Sequence, residues 1–167
     1  LGPAERQAAY LEDHLFQSYD LQKRFIELAQ RQSVDLVKLP KMIQNCLREI
    51  SADFNFFVIE LWCVFLKWLV RIVYDELDFR EEDFGRLRRL NQTGSLVFVP
   101  CHKSHVDYLL VSFLLFQNDI APPHIAAGLN LSFWPFGAIA RKSGAFFIRR
   151  SFKGDLIYAE VLKQYLK

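Results

Sequence analysis

The sequence predicts an α/β protein, with a helical amino-terminal region followed by the first strands of a largely parallel sheet with flanking helices. Three observations lead there. Residues 4 to 31 are strong helix formers with no internal Pro or Gly. Residues 53 to 78 carry a long aromatic and aliphatic run. From Ser95 onward, short β-branched or apolar runs alternate with stretches of helical spacing, which is the order of an α/β layer.

Taken in order, residues 4 to 31 read as one helix, with Leu11, Leu15, Leu21, Phe25 and Leu28 at roughly helical spacing. Ser33 to Pro40 is a break, and Pro40 suits the first turn of a second helix from about Lys41 to Ile50. The run from Phe54 to Tyr74 is long enough to raise a membrane span. It contains Glu60, Lys67 and Arg71, however, and charges near the middle of a span cost about 2.5–3.5 kcal/mol each. On a helix, Asp53, Glu60, Lys67, Arg71 and Asp78 fall within about 20° of one line, a narrow polar stripe on an apolar surface. Two readings fit: a helix lying in a membrane interface, or a helix packed in a helical core. Residues 79 to 94 are charged and contain Gly85 and Gly94, so the helical part is expected to end there. The division is therefore a helical region over 1–80, with the membrane-contact reading attached to it, and an incomplete α/β region over 81–167.

Within the second region, Ser95 to Pro100 is expected as a buried strand and residues 105 to 117 as a helix. Further strands are expected at His124–Gly128 and Ala145–Ile148, with helices at Phe136–Lys142 and Asp155–Leu166.

Composition narrows the function classes. The chain has 167 residues, 51% of them hydrophobic, enough for a real core and against disorder. With 16 Phe, 6 Tyr and 3 Trp, it must bury large flat side chains or offer them to an apolar partner. Lys and Arg number 21 against 19 acids, a balance that speaks against nucleic acid. Cys46, Cys63 and Cys101 are widely spaced and form neither a zinc nor a disulfide pattern, which suits a reducing compartment. Leu1 to Gln30 is charged throughout and does not read as a secretory signal.

Chemistry in open α/β sheets concentrates where strands end and helices begin, and the first such place holds Pro100-Cys-His-Lys-Ser-His-Val-Asp-Tyr108. His102 and Asp107 would lie about 140° apart on a regular helix. With His102 in the turn and Asp107 in the first helical turn, the two side chains can meet. The imidazole then serves as general base toward a substrate hydroxyl, and the carboxylate fixes its tautomer. The same spacing also fits a plain helix start in which Ser104 caps and Asp107 supplies first-turn charge. A metal reading of Cys101, His102, His105 and Asp107 lacks a second ligand cluster, and four ligands so close in sequence do not easily converge.

A second place is Gly144-Ala-Phe-Phe-Ile-Arg-Arg150, followed by Ser151, Lys153 and Gly154. An apolar strand ending in Arg149, Arg150, a hydroxyl and Lys153 suits a phosphate, because guanidinium forks match phosphate oxygens. A solvated basic loop is the alternative.

Val99-Pro-Cys-His-Lys-Ser-His-Val-Asp-Tyr-Leu-Leu110 resembles the first motif of the glycerol-3-phosphate acyltransferases, within the His-x4-Asp glycerolipid acyltransferase superfamily, and Gly144 to Arg150 resembles the second. Pro122 to Pro135 and Ser151-Phe-Lys-Gly154 are similar to the bacterial branch. The likeness is dense from about residue 96 to 165 and looser back to about residue 50. It implies an acyltransferase-type αβ sheet and transfer of a fatty acyl group from acyl-CoA or acyl-carrier protein to the sn-1 hydroxyl of glycerol 3-phosphate. The product is lysophosphatidate, made at the cytoplasmic face of a membrane, the inner membrane in a bacterium. His102 is implied as general base and Asp107 as its orienting partner. Phe147, Ile148 and Arg150, with Arg149 nearby, are implied in holding the acceptor, and no metal or prosthetic group is implied. Lys103 stands where the family most often has Arg. The family's third and fourth motifs do not follow before Lys167, so the chain is expected to be a fragment that carries the site without being active alone. Two alternatives stay open: the same chemistry on dihydroxyacetone phosphate or lysophosphatidate, and a non-catalytic membrane-binding module.

Overall fold

The computed structural model describes residues 4–73, 80–99 and 107–167. In order, the elements are α1 (Ala4–Gln17), α2 (Tyr19–Arg31), α3 (Leu39–Ile50), α4 (Phe56–Val73), α5 (Glu81–Thr93), α6 (Asp107–Gln117), β1 (Ile125–Gly128), a 3₁₀ turn at Leu129–Leu131, α7 (Phe136–Lys142), β2 (Ala145–Ile148) and α8 (Leu156–Tyr165). This is a helical amino-terminal region followed by the start of an α/β layer, as expected. The chain divides into two compact units: Leu1–Phe56 with His124–Lys167, and Phe57–Pro123. That division follows packing, whereas the one near residue 80 follows composition.

In the first unit, β1 and β2 pair in parallel, with Ile125 opposite Ala145 and Gly128 opposite Ile148. Parallel neighbours need a crossover, and the 3₁₀ turn and α7 supply it. Helices α2 and α3 lie against α8, α3 also meets β2, and α1 packs on α2 and α3. The shared core joins Leu15, Phe25, Leu28, Ile43, Leu47 and Ile50 of the first three helices to Phe146, Ile157, Tyr158 and Val161. The first fifty residues are thus built into the same hydrophobic core as the last twenty.

The single helix expected over residues 4–31 is two helices. They part at Ser18, whose backbone is extended (φ −74°, ψ 114°). No Pro or Gly forces this. Leu15 and Phe25, on either side of the break, are both 1% exposed and share the core of the first unit, so tertiary packing overrides local propensity. Helix α3 begins slightly earlier than expected, with Pro40 in its first turn.

In the second unit, residues 81–93 form a helix where an interruption was expected. Gly85 costs about 1 kcal/mol relative to Ala, but Phe84 and Leu87 pack with Val111, Leu114, Leu115 and Ile120, which joins α5 to α6. The strand expected at Ser95–Pro100 is not formed over the described residues 95–99. A strand exists only with a ladder partner, and these residues have none among the described residues. Val97 and Val99 stand 85% and 88% exposed. Helix α4 buries Ile59 and Leu66 and exposes Phe57, Leu61, Val64, Phe65, Trp68 and Ile72. Of the expected polar stripe, Glu60, Lys67 and Arg71 lie on α4 and are exposed. Asp53 precedes the helix, its N–H donating to the Arg141 carbonyl (3.0 Å), and Asp78 lies outside the described residues.

Candidate functional site

The best-defined polar constellation lies where β2 runs into α8. Strand β2 ends at Ile148, residues 149–155 turn back, and Asp155 caps α8 by accepting from the Tyr158 N–H (3.0 Å). A carboxylate in this position satisfies an N–H that the helix leaves without a partner. Gly154 sits at φ +92°, a left-handed conformation in which a side chain would be strained.

Of the expected acceptor-binding residues, Phe147 is 0% exposed. The Arg141 guanidinium lies 4.6 Å above its ring. Ile148 is half-buried and packs against the core of the first unit. Arg149 is tied to three neighbours, Glu49, Asp155 and Tyr158. Its Nε and Nη2 donate to the two Glu49 carboxylate oxygens (2.6 and 2.8 Å), and Nη1 donates to Asp155 Oδ2 (2.8 Å). Its backbone N–H donates to the Tyr158 hydroxyl (3.2 Å), and the guanidinium lies 4.2 Å from the Tyr158 ring centre. The Glu49 hydrogen bonds are the main reason the guanidinium holds its proton more tightly than usual. Arg150 and Lys153, by contrast, are exposed and make no hydrogen bond or ion pair with another described residue. Around Arg149, two carboxylates meet one guanidinium, an environment that repels an added anion. Arg150 and Lys153 carry charge that no other described residue uses.

Two further side chains brace the segment. Gln32, the residue closing α2, donates from its amide to the Gly154 carbonyl (2.5 Å) and accepts from the Ile157 N–H (3.3 Å). Arg141 donates to the carbonyls of Glu49 (2.7 Å) and Ser51 (2.5 Å) at the end of α3. Burial lowers the Arg141 pKa, against the pull of Tyr165, Glu49 and Asp53. Cys46 lies one helical turn before Glu49 on α3. Its thiol is pushed up to about 11, mainly by burial and then by the Asp155 charge, and is a poor nucleophile at neutral pH.

The His-x4-Asp box is placed only in part. Asp107 opens α6, the helix-start position expected for it, while its side chain and all of Cys101, His102, Lys103 and His105 lie outside the described residues. The described residues contain no cluster of three or more His, Cys, Asp or Glu suited to a metal ion.

Sequence reasoning missed Glu49, Gln32, Arg141 and Tyr158. Glu49 and Arg149 are 100 residues apart in the chain, and no local spacing marks such a pair. Asp155 carried a usable signal, an acid directly before an apolar helical run.

Residues 83–167 match the family model described as Acyltransferase. The glycerol-3-phosphate acyltransferase of Aeromonas hydrophila is 42% identical over 166 residues, which are 99% of this chain and 20% of that protein. The protein of the same name from Shewanella loihica is 39% identical over 166 residues, again 99% and 20%. That from Haemophilus influenzae is 40% identical over 162 residues, 96% and 20%. The chain thus spans about a fifth of the length of the curated relatives it matches.

Proposed function

The chain belongs to the acyltransferase family, and from that premise we propose that its protein transfers a fatty acyl group from acyl-CoA or acyl-carrier protein to the sn-1 hydroxyl of glycerol 3-phosphate, giving lysophosphatidate. The observation that carries the reading is the co-occurrence, inside residues 83–167, of His102 five residues before Asp107 and of a strand end presenting Arg150 and Lys153 without partners among the described residues. Similarity to three proteins named for this acceptor supports the choice of glycerol 3-phosphate.

In the proposed mechanism His102 takes the proton from the acceptor hydroxyl as its oxygen attacks the thioester carbonyl. Asp107 holds the imidazole in the tautomer that accepts at the reacting nitrogen and stabilises the imidazolium. The tetrahedral intermediate collapses with cleavage of the carbon–sulfur bond, and the imidazolium returns its proton to the thiolate. The ester bond replaces the thioester bond without net redox change, so the step calls for no oxidant or reductant. Arg150 and Lys153 hold the acceptor phosphate as a charge-assisted clamp. Phe147, Ile148 and Arg149 support them by packing and hydrogen bonding.

We also propose that the protein works at a membrane surface, on the cytoplasmic face of the inner membrane in a bacterium. No described helix is long and apolar enough to cross a membrane. On α4, however, Val64, Phe57, Trp68, Leu61, Ile72 and Phe65 occupy an exposed arc of about 100° beside Glu60, Lys67 and Arg71, the pattern of a helix lying in the interface. The same arc favours the second reading, a lipid-binding module without catalysis.

The test is transfer from palmitoyl-CoA to radiolabelled glycerol 3-phosphate by the full-length polypeptide in which this sequence is encoded, with dihydroxyacetone phosphate and lysophosphatidate as competing acceptors. Turnover that disappears in a folded His102→Ala variant supports the general base. An inactive wild type that still binds vesicles, with His102→Ala binding equally, moves the protein to the lipid-binding class. Preference for another acceptor keeps the chemistry and changes the substrate.

A further inference from the structure

Arg150, Ser151, Phe152 and Lys153 form an exposed arch between two sets of fixed points. On one side Arg149 is pinned through its side chain to Glu49 and Asp155 and through its backbone to Tyr158. On the other, Gln32 grips both the Gly154 carbonyl and the Ile157 N–H. Gly154 at φ +92° closes the turn between them. The two grips come from α2 and α3, ahead of residues 83–167, where the family match lies. Nothing in the arch itself fixes where Arg150 points, since its side chain has no partner among the described residues.

We propose that Glu49 and Gln32 are positioning residues for the acceptor phosphate, setting through Arg149 and Gly154 the backbone from which Arg150 and Lys153 reach the anion. The proposal rests on the acyltransferase reading given above. A flexible loop with two cations would bind phosphate weakly, because ordering it on binding costs entropy for each immobilised side chain and backbone bond. The bidentate Glu49–Arg149 pair removes that cost in advance at one end, and the two-point Gln32 contact does so at the other. The pair is also directional: with Arg149 committed to two acids, the phosphate is left to the neighbouring guanidinium.

The experiment compares the full-length wild type with Glu49→Gln, Gln32→Ala, Arg150→Gln and the two doubles that pair Arg150→Gln with each of the others. The expected result is a KM for glycerol 3-phosphate raised about ten-fold or more by Glu49→Gln, with kcat and the KM for palmitoyl-CoA little changed. Glu49→Asp, which keeps the charge on a shorter stem, should recover part of the loss. On the Arg150→Gln background, Glu49→Gln and Gln32→Ala should each raise KM by much less than they do alone, because only Lys153 is then left for them to position. Full additivity on that background overturns the proposal, as does a loss of thermal stability with an unchanged KM. Should Glu49→Gln fail to fold, Gln32→Ala alone decides by the same criterion. Calorimetric titration with glycerol 3-phosphate and with inorganic phosphate separates this proposal from the acyltransferase reading. A wild type without acyl transfer that still binds either anion, weakened by Glu49→Gln, keeps the positioning role and sinks the reaction. A wild type that binds neither overturns the positioning role.

Discussion

Replacing Arg141 tests how the end of α3, and with it Glu49, is held. The guanidinium donates to the carbonyls of Glu49 (2.7 Å) and Ser51 (2.5 Å) and covers the Phe147 ring at 4.6 Å. The carbonyls lie at the end of a helix, where intrahelical donors run out. Each hydrogen bond to a charged donor contributes roughly 1.5 kcal/mol at the low end, suited to a half-buried site, and the contact over the ring adds about 0.5–1 kcal/mol. Arg141→Met keeps the apolar stem and loses both, so the expected destabilisation is about 3–4 kcal/mol. Arg141→Lys keeps the charge, but its single ammonium cannot span two carbonyls and stack as well, so about 1.5–2 kcal/mol is expected. At roughly 2–4 °C per kcal/mol for a chain of this size, the Met variant should melt about 6–16 °C lower. Urea titration followed by tryptophan fluorescence, with the melting curve as a second measure, reads both variants. A Lys variant within about 0.5 kcal/mol of wild type, inside the range of ordinary surface changes, would refute the fork geometry. Charge alone would then suffice.

Two further outcomes follow from the same core. Phe147→Ala, at a position 0% exposed, should cost about 3–5 kcal/mol in urea titration; unchanged stability with a weaker acceptor KM would mean that the ring faces substrate. The Cys46 thiol, pushed up to about 11 from 9.0, should resist iodoacetamide near pH 8 in the folded protein and react on unfolding. Because the folded value lies above the unfolded one, its contribution is complete below about pH 9 and is lost as pH rises through about 11, a fall of up to about 3 kcal/mol. Tyr158 and Tyr165 are raised as well, mainly by burial, and act in the same direction. A stability flat across that window would contradict the burial of all three groups.

Much of the fold was legible because its signals are local. Pro40 in the first turn of α3, the β-propensity of Ala145–Ile148 and the helical spacing of 156–165 each depend on neighbours a few residues away. The errors share one cause. The break at Ser18, the helix through Gly85 and the missing ladder at residues 95–99 were settled by which surfaces found partners. Local propensity is worth tenths of a kcal/mol per residue, and burying a large apolar side chain is worth several times more.

The candidate site divides the same way. The sequence by itself determined the chemistry on offer: an imidazole five residues before a carboxylate, and a run of cations after an apolar strand. Only the tertiary structure decided which cation is available. Arg149 and Arg150 are adjacent and chemically identical, yet one is bound by Glu49, Asp155 and Tyr158 and the other is exposed. Both lie just beyond β2, and their side chains meet different surroundings. The side on which a carboxylate waits is set by a helix about a hundred residues earlier in the chain, and packing alone brings the two together.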